Sequence, residues 1–357
     1  MTLESGAPLV VSVIVVNYNS GEHLAACLAA LCASLPEPGQ EILVVDNAST
    51  DESLPLAESR AATLPSHPIK FLKNPVNRGY AGGVNTALPH TRAPYVAALN
   101  PDMFVSPDWL APLVAFLEAH PDAGAVNPLI LLRHGDGRIN AAGQDIHVTG
   151  LGFNRQLGQR RARAGAAPVR VSGVQGGAVV VRKALLEQMG SWDESGFLYH
   201  EDVELSWLLH LMGCHLYCVP QSVVQHDYHL TMYPEKLFLL ERNRLAMIVT
   251  YLETASRLCL TPFLLFTELL MWGYCLLRGR EFLQAKAASY QWVIQQWPAL
   301  RERRAFIRSL RQCTDWQVLT QLRWGYVWGQ FLTLGKEHGE SRRQPAGGIP
   351  VNLGESG

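Results

Sequence analysis

Val10-Val-Ser-Val-Ile-Val-Val16, running straight into Asn17-Tyr-Asn-Ser-Gly21, sets the fold class of this chain. A continuous β-branched run that stops at polar turn formers reads as a strand buried on both faces, as in the middle of a parallel sheet. A helix is predicted to follow, through Leu35. Glu41-Ile-Leu-Val-Val45 is a second such strand, closed by Asp46-Asn-Ala-Ser-Thr-Asp51, and Ile69-Lys-Phe-Leu72 is a third. Tyr95-Val-Ala-Ala-Leu99 is a fourth, closed by Asn100-Pro-Asp102. Strands alternating with helical stretches predict an α/β fold with a Rossmann-like, mixed and mostly parallel central sheet and right-handed crossovers. The polar clusters fall at the carboxyl ends of strands, where open α/β sheets bind ligands.

The chain has 357 residues, which suits one large α/β domain with an appendage or two modest domains. Its net charge of −1 gives no global attraction to nucleic acid or to an anionic membrane, and nucleic acid is excluded as the expected partner. Its seven cysteines include no Cys-x-x-Cys pair, and the number is odd. This favours buried free thiols in a reducing compartment. Cys214 and Cys218 make a weak metal pair. Met1 to Pro8 carries no basic region and Leu9 to Val16 is too short for a secretory signal, so a cytoplasmic location is expected.

From Ala123 the pattern changes. Ile139 to Phe153 and Val169 to Val181 are Gly-rich or alternating and predict hairpins and mixed strands. Arg155 to Arg163 reads as a loop, either flexible and ordering on a ligand or simply solvated. A helix from His200 and a strand Cys214 to Val219 follow, and after Tyr233 the chain reads as wholly helical. Leu258 to Leu277 carries a single charge, Glu268, between Arg257 on one side and Arg278 and Arg280 on the other. Its length suits a bilayer span, but Glu268 and Pro262 count against one. The expectation is a helix or helical hairpin in the membrane interface, with Trp272 and Tyr274 near the headgroups. A buried core helix fits the same composition. Arg301 to Arg311 adds a basic cluster suited to an anionic leaflet. The tail after Glu337 is expected to be disordered.

Gly190-Ser-Trp-Asp-Glu-Ser-Gly-Phe-Leu-Tyr-His-Glu-Asp-Val-Glu204 places Glu201, Asp202 and Glu204 at the start of a segment in which Val203, Trp207 and Leu211 recur at helical spacing. A carboxylate on that first turn is placed to accept a proton from a hydroxyl. The attraction of acids to a helix N-terminus accounts for the same residues without chemistry. Asp46 closes a strand and offers an acceptor for a base imide or a ribose hydroxyl. Asn77-Arg-Gly-Tyr-Ala-Gly-Gly83 is a Gly-rich turn into a helix, where backbone can approach a ligand and Arg78 can meet a phosphate. It is neither a Walker loop nor a dinucleotide fingerprint. Asp102, with Asn100 two residues earlier, suits Mg2+ or Mn2+, although a turn started by Asn-Pro explains them equally. His226 follows beyond a strand, and a lone histidine is as often a structural hydrogen-bonder.

In order and spacing these pieces resemble the family 2 glycosyltransferases of the GT-A fold, and most of all their bacterial rhamnosyltransferase branch, over roughly residues 10 to 255. The matching segments are 13–19, 44–51, 77–83, Leu99-Asn-Pro-Asp102, Gly176-Gly-Ala178, Trp192-Asp-Glu194, Glu201-Asp-Val-Glu204 and His226. The resemblance implies that Asn17, Asn19, Asp46, Arg78 and Asn100 hold the donor nucleotide. It implies that Asp102 and His226 bind a divalent metal, that Asp202 is the general base and that Glu201 orients base or acceptor. Trp192 lies where acceptor sugars stack. The implied reaction is an inverting displacement from a nucleoside-diphosphate sugar, with dTDP-rhamnose favoured, onto a glycan or lipid-linked acceptor. The expected location is the cytoplasmic membrane face.

Two departures qualify the resemblance. Members often carry Arg where this chain has Leu208, and Glu241-Arg-Asn-Arg-Leu245 stands where processive synthases carry Gln-x-x-Arg-Trp. The second departure argues for transfer of a single residue. The expected organisation is a catalytic domain over 1–255, a helical, membrane-interfacial extension over 256–336 and a tail over 337–357. The rival readings are a polyprenyl-phosphate glycosyl synthase and a degenerate, non-catalytic scaffold for sugar nucleotides.

Overall fold

The computed structural model describes residues 9–34, 39–64, 69–228 and 231–333. The tail expected after Glu337 and the segment Met1 to Pro8 lie outside the described residues. Two compact units are present. The first is formed by residues 1–144, 154–197 and 214–228, the second by 145–153, 198–213 and 229–357.

A ten-stranded mixed sheet organises the first unit. Its strands run in the order Ile69–Lys73, Gln40–Asp46, Val11–Asn17, Tyr95–Leu99, Ala178–Arg182, Ala123–Leu132, His215–His226 and Val169–Arg170, and Met103–Val105 and Ile139–Ala141 pair off this path. The first four are mutually parallel. Ala178–Arg182 is antiparallel to both of its neighbours, and His215–His226 returns parallel to Ala123–Leu132. Val11–Asn17 is buried at every position, as its apolar run requires. Val11, Val13 and Val15 join Leu24, Leu28 and Leu31 of the helix His23–Ser34 in one core cluster. On the other side of the strand, Val16 meets the helix Gly79–Ala87 at Gly83, where a Cβ would lie 2.5 Å from Val16 Cγ1.

The strand expected over Cys214 to Val219 is longer. It runs from His215 to His226 with a register shift between Val219 and Val223, which carries the chain on to His226. The Arg155 to Arg163 loop is held by backbone bonds. Ile139 N–H donates to Gln159 O at 2.8 Å, and Arg161 N–H donates to Gly137 O at 3.2 Å.

Among the described residues the second unit is mainly helical from Pro234 onward, with the long helices Pro234–Tyr251, Thr254–Arg278, Arg280–Gln295 and Trp297–Leu310. Thr254–Arg278 is long and apolar enough to cross a membrane, and it folds back at Gly279 into Arg280–Gln295 as a hairpin. Glu268 is turned inward. It accepts from Arg244 at 2.5 Å and from Lys286 at 2.6 Å, while Glu241 accepts from both cations as well. Arg244, Lys286 and Glu241 are almost completely buried. Burial alone would raise the Glu241 carboxyl, but Arg244 and Lys286 outweigh it and hold it at about 2. Trp272 is exposed. The Tyr274 hydroxyl is buried, which corrects its placement at the headgroups. All seven cysteines are free thiols. Cys27, Cys32, Cys218 and Cys275 are buried, whereas Cys259 is exposed.

Two outcomes test this account. Lys286→Met removes one partner from buried Glu241 and half-buried Glu268 and should cost on the order of 3–5 kcal/mol in urea unfolding. A carboxylate held low stabilises the fold above its unfolded value of 4.5, and that contribution is lost as pH falls toward 2. Glu241→Gln should therefore flatten the acid limb of the melting-temperature profile; an unchanged limb sinks the assignment.

Candidate active site

The strand ends are built around Asn17. Its Nδ2 donates to Asp46 Oδ1 at 2.8 Å, to Ser53 Oγ at 2.9 Å and to Ser49 Oγ at 3.0 Å, and its Oδ1 accepts from Ser20 Oγ. Asp46 uses its second oxygen to accept from Ser49 N–H. Asn19, at φ 50, accepts from Thr50 N–H at 2.8 Å. These three residues thus fix two adjacent turns at the rim of the sheet. The Asn17 side chain itself is committed inside that network.

The Gly-rich turn is approached by the protein's own groups. Gly79 sits at φ +72, and a Cβ there would lie 1.9 Å from Phe197 O. A Cβ at Gly82 would crowd Arg78 Cβ at 2.5 Å. The glycines therefore serve close packing, where the sequence suggested approach to a phosphate. Arg78 is paired: Nη2 donates to both oxygens of Glu194 at 2.7 and 2.8 Å, and Nη1 donates to Thr86 Oγ1. Asn85 Nδ2 donates to Glu194 and to Trp192 O, and Trp192 N–H donates back to Asn85 Oδ1. Trp192, expected to stack on an acceptor sugar, is only 6% exposed and packs against Tyr80 at 5.5 Å.

Asp102 and His226 are brought together. His226 Nε2 lies 3.3 Å from Asp102 Oδ2, and His226 Nδ1 lies 2.9 Å from Asn140 Oδ1. If Nδ1 carries the proton and gives it to Asn140, Nε2 presents a lone pair to a carboxylate oxygen. Two acceptors then face each other unless a proton or a cation lies between them. Asp102 Oδ1 is buried with no hydrogen-bond partner. Two ligands about 2.1 Å from a metal at right angles are about 3 Å apart, so this spacing fits a divalent ion. No cluster of three or more His, Cys, Asp or Glu suited to a metal occurs among the described residues. The pair suits an ion that takes one or two protein ligands and completes its shell with phosphate and water. Asn100, next to this pair, donates its backbone N–H to Gly177 O at 2.9 Å.

The acids lie in the second unit, at the start of the helix Glu201–Leu211. Phe197, Tyr199 and His200 precede them with φ of 59, 65 and 73, and none is glycine. Such strain persists only where neighbours over-determine it. Asn243 Nδ2 donates to Leu198 O and Tyr199 O, and buried His200 meets Gly150 O through Nε2 at 2.8 Å. Burial pushes the His200 imidazole down to about 4, so it is neutral. Burial, and then the Asp202 charge, push the Glu201 carboxyl up to about 8, and Glu201 Oε2 is buried without a partner. Glu201 is thus an acid holding its proton at neutral pH beside Asp202, which accepts from Val203 N–H at 2.8 Å. Leu208 is buried, so the position where the resemblance led to an expectation of Arg is a core position here. Glu204 instead favours the charged form of Arg242, which burial holds down at about 10.

Glu194 and Asn140 were not singled out in the sequence. The signal for Glu194 was the Trp-Asp-Glu segment itself. Asn140 sits in a short strand that offers none.

Among solved structures the fold is shared with GalNAc-T7, crystallised with UDP, GalNAc and Mn2+, at a TM-score of 0.58 and 20% identity over 70% of this chain and 49% of that one. It is also shared with the mannosyltransferase PcManGT of Pyrobaculum calidifontis, in complex with GDP-Man and Mn2+, at 0.51 and 19% over 85% of this chain and 86% of that one. At such identity the likeness establishes a GT-A fold. Residues 12–190 match the family Glycosyl transferase family 2, and the chain belongs to that family, whose members transfer a sugar from a nucleotide-sugar donor with inversion. The N-acetylglucosaminyl-diphospho-decaprenol L-rhamnosyltransferase of Mycobacterium tuberculosis is 28% identical over 246 residues, 62% of this chain and 78% of its own.

A carboxyl raised above its unfolded value of 4.5 is protonated in the folded protein while the unfolded chain ionises. Stability attributable to Glu201 should therefore fall as pH rises from about 4.5 to about 8. Melting temperatures across this range should decline in the wild type relative to Glu201→Gln. Parallel profiles would remove Glu201 from this role.

Proposed function

We propose that this chain transfers a single sugar, rhamnose from dTDP-rhamnose being the favoured case, to a hydroxyl of a glycan or lipid-linked acceptor at the cytoplasmic face of the cell membrane. The observation that carries this reading is the Asp102–His226 pair, 3.3 Å apart, with an unpartnered buried Asp102 oxygen, at the end of the strand region that binds donors in this fold. Asp102 and His226 would hold Mg2+ or Mn2+. A bound ion would supply positive charge for the diphosphate leaving group. Asp46, with Asn17 and Asn19 fixing its turn, and Asn100 form the nucleoside side of the site, and Arg78 keeps the adjoining helix in place through Glu194. Asp202 takes the proton from the attacking hydroxyl, a contribution on the order of 10²–10⁴-fold. Glu201, still protonated at neutral pH, donates a hydrogen bond that orients base or acceptor. Trp192, buried against Tyr80, is assigned to the acceptor side of the site.

Residues 1–255 are assigned to catalysis and 256–336 to a membrane-interfacial extension. The rhamnosyltransferase relative, whose printed name includes a diphospho-decaprenol, supports a lipid-linked acceptor. The exposed leucines of Thr254–Arg278 support a peripheral location.

Asp202→Asn should retain nucleotide-sugar binding, measured by thermal shift with Mn2+, and lose transfer by about 10²-fold or more. Full turnover in that variant rules out Asp202 as base. A wild type that neither hydrolyses nor transfers any nucleotide-sugar supports the scaffold reading. Transfer onto a polyprenyl phosphate itself supports the synthase.

A further inference from the structure

Most large exposed hydrophobic side chains of the described residues belong to the second unit, and Leu258, Leu265, Leu269, Trp272, Leu276 and Leu277 share one helix. Every exposed residue between Thr254 and Leu277 is uncharged. A soluble surface rarely keeps so long an apolar stripe uncovered. Arg278 ends that helix. Its guanidinium packs on the rings of Phe282, at 5.0 Å, and Tyr274, at 5.8 Å, and Nη2 donates to Met232 O at 3.2 Å. Nη1 is buried and has no acceptor. An N–H of a charged group left without an acceptor is costly, so an anion that the neighbouring side chains move to admit would be favoured there. One residue beyond Met232, the Tyr233 hydroxyl meets the Tyr199 hydroxyl at 2.9 Å, and Lys236 Nζ lies 5.0 Å from the centroid of the Tyr199 ring. Tyr199 stands two residues before Glu201. The same small region thus offers a guanidinium, an ammonium and two phenols at the end of an apolar stripe. That combination matches a phosphate carried on a lipid: planar charge-assisted donors for the oxygens and a greasy track for the tail.

We propose that Arg278, Lys236 and the Tyr199–Tyr233 pair bind the diphosphate of a polyprenyl-diphosphate-linked acceptor, whose hydrocarbon lies with the exposed face of Thr254–Arg278 in a lipid surface. This rests on the lipid-linked reading of the acceptor given above. The proximity of Tyr199 to Glu201 in the chain gives the site its purpose: the headgroup is anchored beside the acids that handle the acceptor hydroxyl.

The test is vesicle co-flotation of the full chain with phosphatidylcholine vesicles, with and without decaprenyl diphosphate. The wild type should bind the diphosphate-bearing vesicles about tenfold more tightly, the factor expected of one charge-assisted hydrogen bond. Arg278→Met and Lys236→Met should each lose that preference. Arg278→Lys should keep part of it, and circular dichroism should confirm that each variant is folded. If Arg278→Met does not fold, Lys236→Met and Arg278→Lys decide. Equal preference in all variants overturns the site. So does equally tight binding to phosphatidylglycerol vesicles, or displacement by an equal concentration of inorganic pyrophosphate. In steady-state transfer, Lys236→Met should raise KM for the lipid acceptor and leave KM for the donor unchanged. Vesicle discrimination without any sugar transfer would sink the proposed activity and leave this site standing. Transfer without discrimination would do the reverse.

Discussion

The Gly-rich turn depends on the ion pair between Arg78 and Glu194, which joins it to the Trp192-Asp-Glu194 segment. One guanidinium nitrogen reaches both carboxylate oxygens, the pair is half-buried, and its two residues lie far apart in sequence. Through it the helix Gly79–Ala87 is tied to the segment that leads into the acidic helix. Asn85 and the Tyr80 backbone N–H reinforce the tie, the latter donating to Phe197 O at 2.9 Å. With its start anchored in this way, the chain can be driven through three left-handed non-glycine residues before Glu201. Without such an anchor that strain would relax into ordinary loop conformations. The glycines at 79 and 82 are the steric condition for the clamp, since a Cβ there would meet Phe197 O and Arg78 Cβ, whereas Gly83 lets the helix close on Val16.

The second unit solves a different problem. An apolar helix carrying a central glutamate is unfavourable in a bilayer and awkward in a core. Here half-buried Glu268 and buried Glu241 share Arg244 and Lys286, so two negative and two positive charges are held in one cluster. Burial of the charges is offset by mutual contact, and the outer face of the same helix is left free of charge. The hairpin can then present a lipid-compatible surface while keeping its ionic groups inside.

The sheet and its polar rim were legible because buried parallel strands write themselves as unbroken apolar runs, as Val10 to Val16 does, and end abruptly at turn formers. The pairing of Asp102 with His226 was legible only through family resemblance. Residues 124 apart in sequence carry no local pattern that links them. Asn140 and Glu194 were missed because each acts through a long-range partner. The Gly-rich turn was read as an approach for phosphate because glycine spacing reports only that something comes close, and here the neighbour is protein. Glu268 was read as evidence against a span, and the structure supplies the reason: its partners Arg244 and Lys286 lie on other helices, beyond the reach of periodicity.

The exposed thiol of Cys259 has a practical consequence. It sits on the uncharged outer face of Thr254–Arg278, while Cys27, Cys32, Cys218 and Cys275 are enclosed and Cys214 and Cys313 are half-covered. The native chain therefore carries its own attachment point for a polarity-sensitive fluorophore or a nitroxide on the surface in question. Immersion depth could be read there by quenching with lipid-borne or aqueous agents, without engineering a cysteine into the helix.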